Sequence, residues 1–236
     1  MVLISFKKFF FNFTDIWFED RENIRSHFFS LTSWKSHSTK KIHHTIPRKR
    51  YTLINNLKNI ETEDILKMYD KNTRYEINKI IKTNHYFEYN NNSNVNFINM
   101  YNAFASLKKL KPLTQERLLK FPINNIIYTY LNDERGDCAS AHVYLFNHKN
   151  VVLLYSLTNY TSDKNINKYR AMANRALHYY DMCLFKKQKI EYYDWGGIGL
   201  TNKFKGIDKF KKGFGGKVVE YTEYYSYIYY FIMKLR

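Results

Sequence analysis

Glycine, proline and cysteine are all scarce in this chain of 236 residues: 8, 3 and 2 respectively. Two cysteines, Cys138 and Cys183, form no disulfide framework and no zinc-ligand spacing. A reduced, cytoplasmic setting is the simplest expectation from them. Acidic residues are also sparse, with 21 Asp and Glu against 38 Lys and Arg, a net charge of +17. From Asn23 to Ile60 there is no acidic residue at all. No apolar run is long enough to span a bilayer. The opening MVLISFKKFFFNF is interrupted by Lys7 and Lys8 and has no small-residue cleavage site, and Tyr224–Met233 is too short. The low proline and glycine content and the 44% hydrophobic residues exclude a disordered or fibrous chain.

What is abundant is aromatic and basic. Aromatic residues make up 18% of the chain, enough with its length to bury a sizeable core. A charge of +17 points to an anionic partner: nucleic acid, a membrane surface or a phosphorylated small molecule. The joint richness in Lys, Asn, Ile, Tyr and Phe is also what AT-rich coding yields, so any one lysine run reads equally as a solvated face. Lys35–Arg50, with three histidines, shows neither helical nor strand period and reads as a mobile basic loop, with a phosphate-binding face as the alternative.

Taken in order, Phe9–Phe13, Ile16–Phe18 and Tyr51–Leu57 read as strands and Thr62–Asn84 as a helix, with Ile65, Tyr69, Ile77, Ile80 and Ile81 on one face. The NNNSN run at Asn90–Asn94 marks a boundary, dividing a partial α/β subdomain (1–94) from a second unit (95–236). Val95–Lys111 is helical and stops at Pro112, and Thr114 caps a short helix, Gln115–Lys120. Three strands follow as an antiparallel meander: Ile126–Leu131, Cys138–Phe146 and Val151–Leu157. A long helix, Asn167–Lys187, then leads to a strand, Ile190–Asp194, which makes a βαβ crossover. Its helix N-terminus near Asn165–Lys168 is a natural place for a phosphate. Lys217–Thr222 and Tyr224–Met233 read as final strands. The class is α+β with a mixed sheet.

Seven of the eight glycines lie between Gly196 and Gly216, ends included. Glycine is needed where φ is positive or where backbone must approach something closely. With Asp194 at the strand end and five lysines nearby, the stretch reads as a site built partly of backbone, or as two ordinary turns. Asp194 serves either as a base or as the cap of the Gly196-Gly197 turn. His142 lies mid-strand with Ser140 and Tyr144, as a catalytic or a structural histidine. Asn174, His178 and Asp181 share one helix face, as substrate contacts or as a buried polar ladder. No cluster has metal-ligand spacing, so no metal is expected. Arg74 offers a bidentate fork to a diphosphate, or an ion pair to Asp70.

This order of elements resembles the GNAT acyltransferase fold, with a mixed, mostly antiparallel sheet and flanking helices. SAHVYLF at Ser140–Phe146, ANRALHYYDM at Ala173–Met182, YDWGGI at Tyr193–Ile198 and GIDKFKKGFGG at Gly206–Gly216 are similar to the Fem-like branch, as is TRYEINKI at Thr73–Ile80. That branch includes tRNA-dependent aminoacyltransferases of peptidoglycan bridges and smaller N-acyltransferases acting on nucleotide-linked amino sugars. The chain length favours the smaller enzymes, which would take acyl-CoA as donor and serve surface-polysaccharide synthesis. The resemblance implies that Val151–Leu157 and Ile190–Asp194 splay apart to bring donor and acceptor together. It puts Asp194, His142 and Lys211 at the chemistry, and Ser156, Lys168, Phe210, Lys211 and Gly215 at the donor. Arg74, Tyr75, Asn174, His178, Gly196 and Gly197 would meet the acceptor. The glycine-spaced pyrophosphate loop of standard GNAT enzymes is missing, because Tyr160–Arg170 has no glycine. CoA and a nucleotide sugar are both polyanions and account for the charge, so nucleic acid is not required. A tRNA-dependent aminoacyltransferase and a non-catalytic polyanion-binding module are the alternatives. A homo-oligomer is left open.

Overall fold

The computed structural model describes residues 1–8, 10–19, 29–36, 42–91, 95–199 and 205–234. Among these, ten strands form one sheet in the order β1-β2-β3-β10-β4-β9-β8-β7-β6-β5. They are β1 (Val2–Lys8), β2 (Phe11–Trp17), β3 (Thr32–Ser36), β4 (Thr45–Asn56), β5 (His85–Asn90), β6 (Ile126–Asp133), β7 (Cys138–Phe146), β8 (Asn150–Thr158), β9 (Tyr192–Asp194) and β10 (Lys217–Ser226). Only β2–β3 and β8–β9 pair in parallel. The helices are α1 (Lys71–Ile81), α2 (Val95–Leu107), α3 (Gln115–Leu119), α4 (Lys164–Lys187), α5 (Lys205–Lys212) and α6 (Tyr227–Lys234), with a 3-10 segment at Thr62–Met68. The class is the mixed, mostly antiparallel α+β expected from the sequence.

The centre of the sheet is covered on both faces. That is why β6 and β7 are buried almost end to end and read as near-continuous apolar runs. On one face α4 and α1 pack through Ala173, Leu177, Phe185, Ile77 and Ile80. On the other, α2 and α3 pack through Phe97, Tyr101 and Leu118 against Tyr128, Val143 and Leu157. The expected βαβ crossover is present, with α4 joining the parallel strands β8 and β9.

Three local expectations are corrected. Among the described residues of Lys35–Arg50 most are strand: β3 runs to Ser36 and β4 begins at Thr45, and its basic residues pair with an acidic strand, Lys49 with Glu220 and Arg50 with Glu223. The expected helix over Thr62–Asn84 breaks at Asp70. There the Asp70 carboxylate accepts from Thr73 N–H at 2.7 Å and the Asp70 N–H donates to Gly213 O at 2.8 Å, starting a fresh helix. Beyond that helix His85–Asn90, assigned to no element from the sequence, forms β5, which aligns its backbone with β6. At the C-terminus one long strand runs to Ser226 and the chain turns into α6, so Tyr224–Met233 is mostly helix. Phe9, residues 37–41, residues 92–94 of the NNNSN boundary and Lys203 lie outside the described residues.

Loss of the Asp70 cap has a defined expectation. Asp70→Ala removes about 1 kcal/mol of stability, which for a chain of this size lowers Tm by about 2–4 °C in a calorimetric or dichroism melt.

Candidate active site at the splay of β8 and β9

The site begins where two strands part. β9 follows β8 for three residues only, with the last pair Val152 and Asp194. Beyond it the chain stays with β4: Trp195 N–H donates to Leu53 O at 3.0 Å and Ile198 N–H to Tyr51 O at 2.9 Å. Among the described residues β8 has no strand partner on that side from Leu153 onward. The turn that makes this possible requires glycine. Gly196 has φ +73°, and a Cβ there would sit 2.2 Å from Leu153 O.

The turn is fastened from both ends. The Asp194 carboxylate accepts from Gly196 N–H at 2.8 Å and from the Thr52 hydroxyl. Lys211, on α5, sends its ammonium to the carbonyls of Trp195 at 2.8 Å and Gly197 at 2.5 Å. Burial lowers the Lys211 pKa, opposed by Asp194 and Asp208. Trp195 Nε1–H donates to Asn55 Oδ1 at 2.8 Å, and Asn55 Nδ2–H donates to Phe214 O at 2.9 Å. Buried Asn55 therefore ties the two ends of the glycine-rich stretch together.

A cavity of about 440 Å³ opens at the splay. Asp194, Gly196 and Gly197 line it together with Leu153, Leu154 and Tyr155 of β8. Three cations reach the same space: Lys35 from β3, Arg117 from α3 and Lys120 just after it. Lys35 lies 3.4 Å from the Trp17 ring centroid and 3.8 Å from Glu223. Burial lowers its pKa, and Glu223, Asp15 and Asp194 oppose the shift. Asp15 and Glu223 line the cavity as well, so three carboxylates and three cations share it. A carboxylate at the strand end with cations on the far wall is chemically suited to an amine carried on a phosphate-bearing group.

On the α4 face of the sheet lies a sealed polar network. His142, His178, Asp181, Tyr144 and Tyr193 are fully buried. One proton arrangement accounts for its hydrogen bonds and leaves buried His178 Nε2 and Asp181 Oδ1 without a partner. His178 Nδ1–H donates to Tyr193 Oη at 2.8 Å, and Tyr193 O–H to Tyr144 Oη at 2.8 Å. Tyr144 O–H then donates to Asp181 Oδ2 at 2.5 Å, which also accepts from His142 Nδ1–H at 2.7 Å. Asn174 Nδ2 joins this network to Ser140 Oγ at 2.8 Å and to Ser156 Oγ at 3.3 Å. Burial, then His142, Lys211 and Arg175, push the His178 pKa well below 6.5, and burial followed by Asp181 raises both tyrosines well above 10.0. Among the described residues, His142, His178 and Asp181 are the group whose donor atoms lie close enough for a metal, within 4.8 Å, and the hydrogen-bond chain already engages both Nδ1 atoms and Oδ2.

The sequence-derived candidates thus divide. Asp194, Gly196 and Gly197 meet at the cavity, and Lys211 braces its turn. His142, His178, Asn174 and Ser156 join the network behind it. Phe210 packs on Trp195, Phe214 and His178, and Gly215 lies against Met68 O. Arg74 and Tyr75, on α1, do not line the cavity. Arg74 reaches Lys67 O, not Asp70, and Tyr75 is exposed beneath Lys79. Lys168 is an exposed residue of α4. Arg117 and Lys120 were not singled out from the sequence, and Lys35 only as the start of the basic stretch Lys35–Arg50, since no spacing along the chain brings 35, 117 and 194 together.

The α4 N-terminus is closed to a phosphate by its own side chains. The Asp163 carboxylate accepts from Asn165 N–H at 2.7 Å and Ile166 N–H at 3.2 Å. Thr161 N–H donates to Asn167 Oδ1 at 2.7 Å, Asp163 N–H to Thr161 Oγ1 at 3.2 Å and Tyr160 N–H to Thr158 O at 3.0 Å. An incoming phosphate would find these amides engaged and a carboxylate in place.

No family model matches the sequence, and no curated protein matches it. Solved structures do. The crystal structure of FemX superposes with a TM-score of 0.61 at 12% identity, covering 84% of this chain and 67% of that one. L-PGS from Bacillus licheniformis gives 0.55 at 13%, covering 82% and 67%. The C-terminal domain of a putative lysylphosphatidylglycerol synthetase from Agrobacterium fabrum gives 0.55 at 8%, covering 86% and 72%. The fold is GNAT-like. At these identities the likeness is one of fold. No helix of the described residues is long and apolar enough to cross a membrane.

Two outcomes test this geometry. Lys211→Met leaves the Trp195 and Gly197 carbonyls without their ammonium. It lowers stability by about 2 kcal/mol in denaturant unfolding, because a buried acceptor without a partner costs about 1–3 kcal/mol. His178 stays neutral in the folded chain but takes a proton near pH 6.5 when unfolded. The unfolded state therefore binds more protons as pH falls below 6.5, and stability declines there by up to about 1.4 kcal/mol per pH unit for this one group. His178→Gln makes the pH 5–6.5 limb of the stability curve correspondingly shallower.

Proposed function

We propose that this protein is an aminoacyltransferase that moves an aminoacyl group from aminoacyl-tRNA to an amine on a phosphate-linked acceptor. The observation that carries the donor is the closed α4 N-terminus: the amides that would cradle a CoA pyrophosphate are engaged by Asp163, Thr161 and Asn167. A donor presented on RNA does not need that cradle. The +17 charge favours a large polyanion, and the fold neighbours FemX and lysylphosphatidylglycerol synthetase fit aminoacyl chemistry.

In the reaction the neutral amine attacks the ester carbonyl of the aminoacyl group. The C–N bond forms, the carbonyl oxygen takes negative charge, and collapse of the tetrahedral species expels the ribose oxygen. Asp194 accepts the proton released by the amine, and the ribose oxygen leaves protonated. Backbone amides along the vacated edge of β8 face the developing oxyanion, since those of Gly196 and Gly197 are engaged by Asp194 and Thr52. Lys35, Arg117 and Lys120 hold the acceptor's phosphates. His142, His178 and their tyrosines hold β7, β9 and α4 in register behind the splay.

A second reading shares the acceptor and changes the donor: an N-acyltransferase that uses acyl-CoA on a nucleotide-linked amino sugar. The cavity favours it in one respect, since about 440 Å³ ringed by three cations suits a sugar diphosphate.

The test offers the purified protein charged tRNA or acyl-CoA together with UDP-linked and dTDP-linked amino sugars and a peptidoglycan precursor, with products read by mass spectrometry. Aminoacyl product that disappears on ribonuclease treatment is the expected result. Product from acyl-CoA that resists ribonuclease selects the second reading. In the productive pair, Asp194→Asn lowers kcat about 100-fold while melting as the parent does, because Asn keeps the oxygen that caps Gly196.

A further inference from the structure

A groove of about 820 Å³ borders the cavity, between β1 and α3. Lys7 and Lys8 on β1 face Lys111, Arg117 and Lys120 across it, and Glu116 is the one carboxylate among its lining residues. Arg117 and Lys120 line both the groove and the cavity, so the two are continuous. Phe6 belongs to the groove wall, with the Lys120 ammonium 4.1 Å from its ring centroid. At the end of β1 the chain presents Phe10, 94% exposed, and Phe11, 46% exposed.

We propose that this groove seats the single-stranded 3′ end of the tRNA donor and leads its terminal ester into the cavity at Asp194. The assignment rests on the aminoacyl-tRNA reading and adds to it where the RNA lies. A polymer whose one reactive group is at its end needs a trough that finishes at the reaction site, and this groove does so through Arg117 and Lys120. Lysines on both walls meet phosphates, and exposed Phe10, just beyond β1, offers a face on which a base stacks whatever its identity, whereas Phe6 is covered by Phe13 and Lys120. A concave trough walled by a strand and a helix fits a nucleic-acid strand better than a flat bilayer.

The experiment is fluorescence anisotropy of the full chain with a deacylated RNA minihelix carrying a four-nucleotide single-stranded 3′ tail. The same stem with a blunt end runs in parallel. The tailed RNA binds about tenfold tighter than the blunt one. The double variant Lys7→Glu/Lys111→Glu weakens tailed-RNA binding tenfold or more. It also reduces the slope of log affinity against log salt by about 2, roughly one for each phosphate that no longer meets a lysine. Lys71→Glu/Lys82→Glu makes the same charge change on exposed positions at α1, on the other face of the sheet, and leaves both quantities as they were.

If the parent binds tailed RNA and the groove variant binds it equally well, the groove assignment falls while the RNA donor stands. Equal affinity for tailed and blunt RNA also overturns it. If the groove variant loses co-sedimentation with vesicles of anionic phospholipid but keeps its RNA affinity, the groove is a membrane surface and the proposal fails. If the parent binds no RNA and transfers only from acyl-CoA, the donor reading fails and takes the groove assignment with it.

Discussion

The close approach of Gly196 to the Leu153 carbonyl is the constraint on which the site depends. It lets β9 end after three residues and hands the chain to β4, and the central sheet opens at that point. A side chain there would meet backbone, which has no rotamer to give. Everything that fastens the turn then follows as a requirement: Asp194 and Thr52 hold its front, Lys211 its carbonyls, and Asn55 the tryptophan that follows. The glycines of this stretch and the lysine of α5 are two halves of one device.

The second organising feature is the division of labour between the faces of the sheet. On the α4 face, polar groups form a sealed hydrogen-bonded chain from His178 to Asp181, with His178 Nε2 and Asp181 Oδ1 left over at its ends. On the other, Asp194, Lys35 and Arg117 line an open cavity. Strand alternation explains the split, because Tyr193 and Asp194 are adjacent in sequence and point to opposite sides. A buried polar ladder on α4 and a base at the strand end were both legible as alternatives, and the alternation gives each its own face.

Legibility followed the range of the interactions. The β6–β8 meander, α4, the crossover and the glycine-marked turn are set by local patterns, and all are where the sequence places them. β5 was hidden because the alternation in HYFEYN is weak and its partner β6 lies far along the chain. The basic run into β4 looked like a loop because its charges are neutralised only by Glu220 and Glu223, near the far end of the chain. Tyr227–Lys234 is apolar enough for either state, and packing of Tyr229 against Phe13 makes it helical. Lys35, Arg117 and Lys120 carried no local mark as site residues, because what gathers them is the folding of three separate elements around one cavity.

The place of β10 has a consequence for how the chain is made. This strand, near the C-terminus, is inserted between β3 and β4, so the first three strands join the rest of the sheet only through it. During synthesis β4 keeps an open edge until β10 has been made, and until then packing such as that of Val2 and Ile4 on Leu145 and Val152, without strand pairing, is what the β1–β3 unit has to hold it to the rest of the sheet. Such long-range closure is slow. The exposed edge of β4, basic along Arg48–Arg50, would repel a second copy of itself during that wait, which is how strand edges are commonly kept from pairing with the wrong partner. The charge that invites an anionic ligand would thus also guard the unfinished chain.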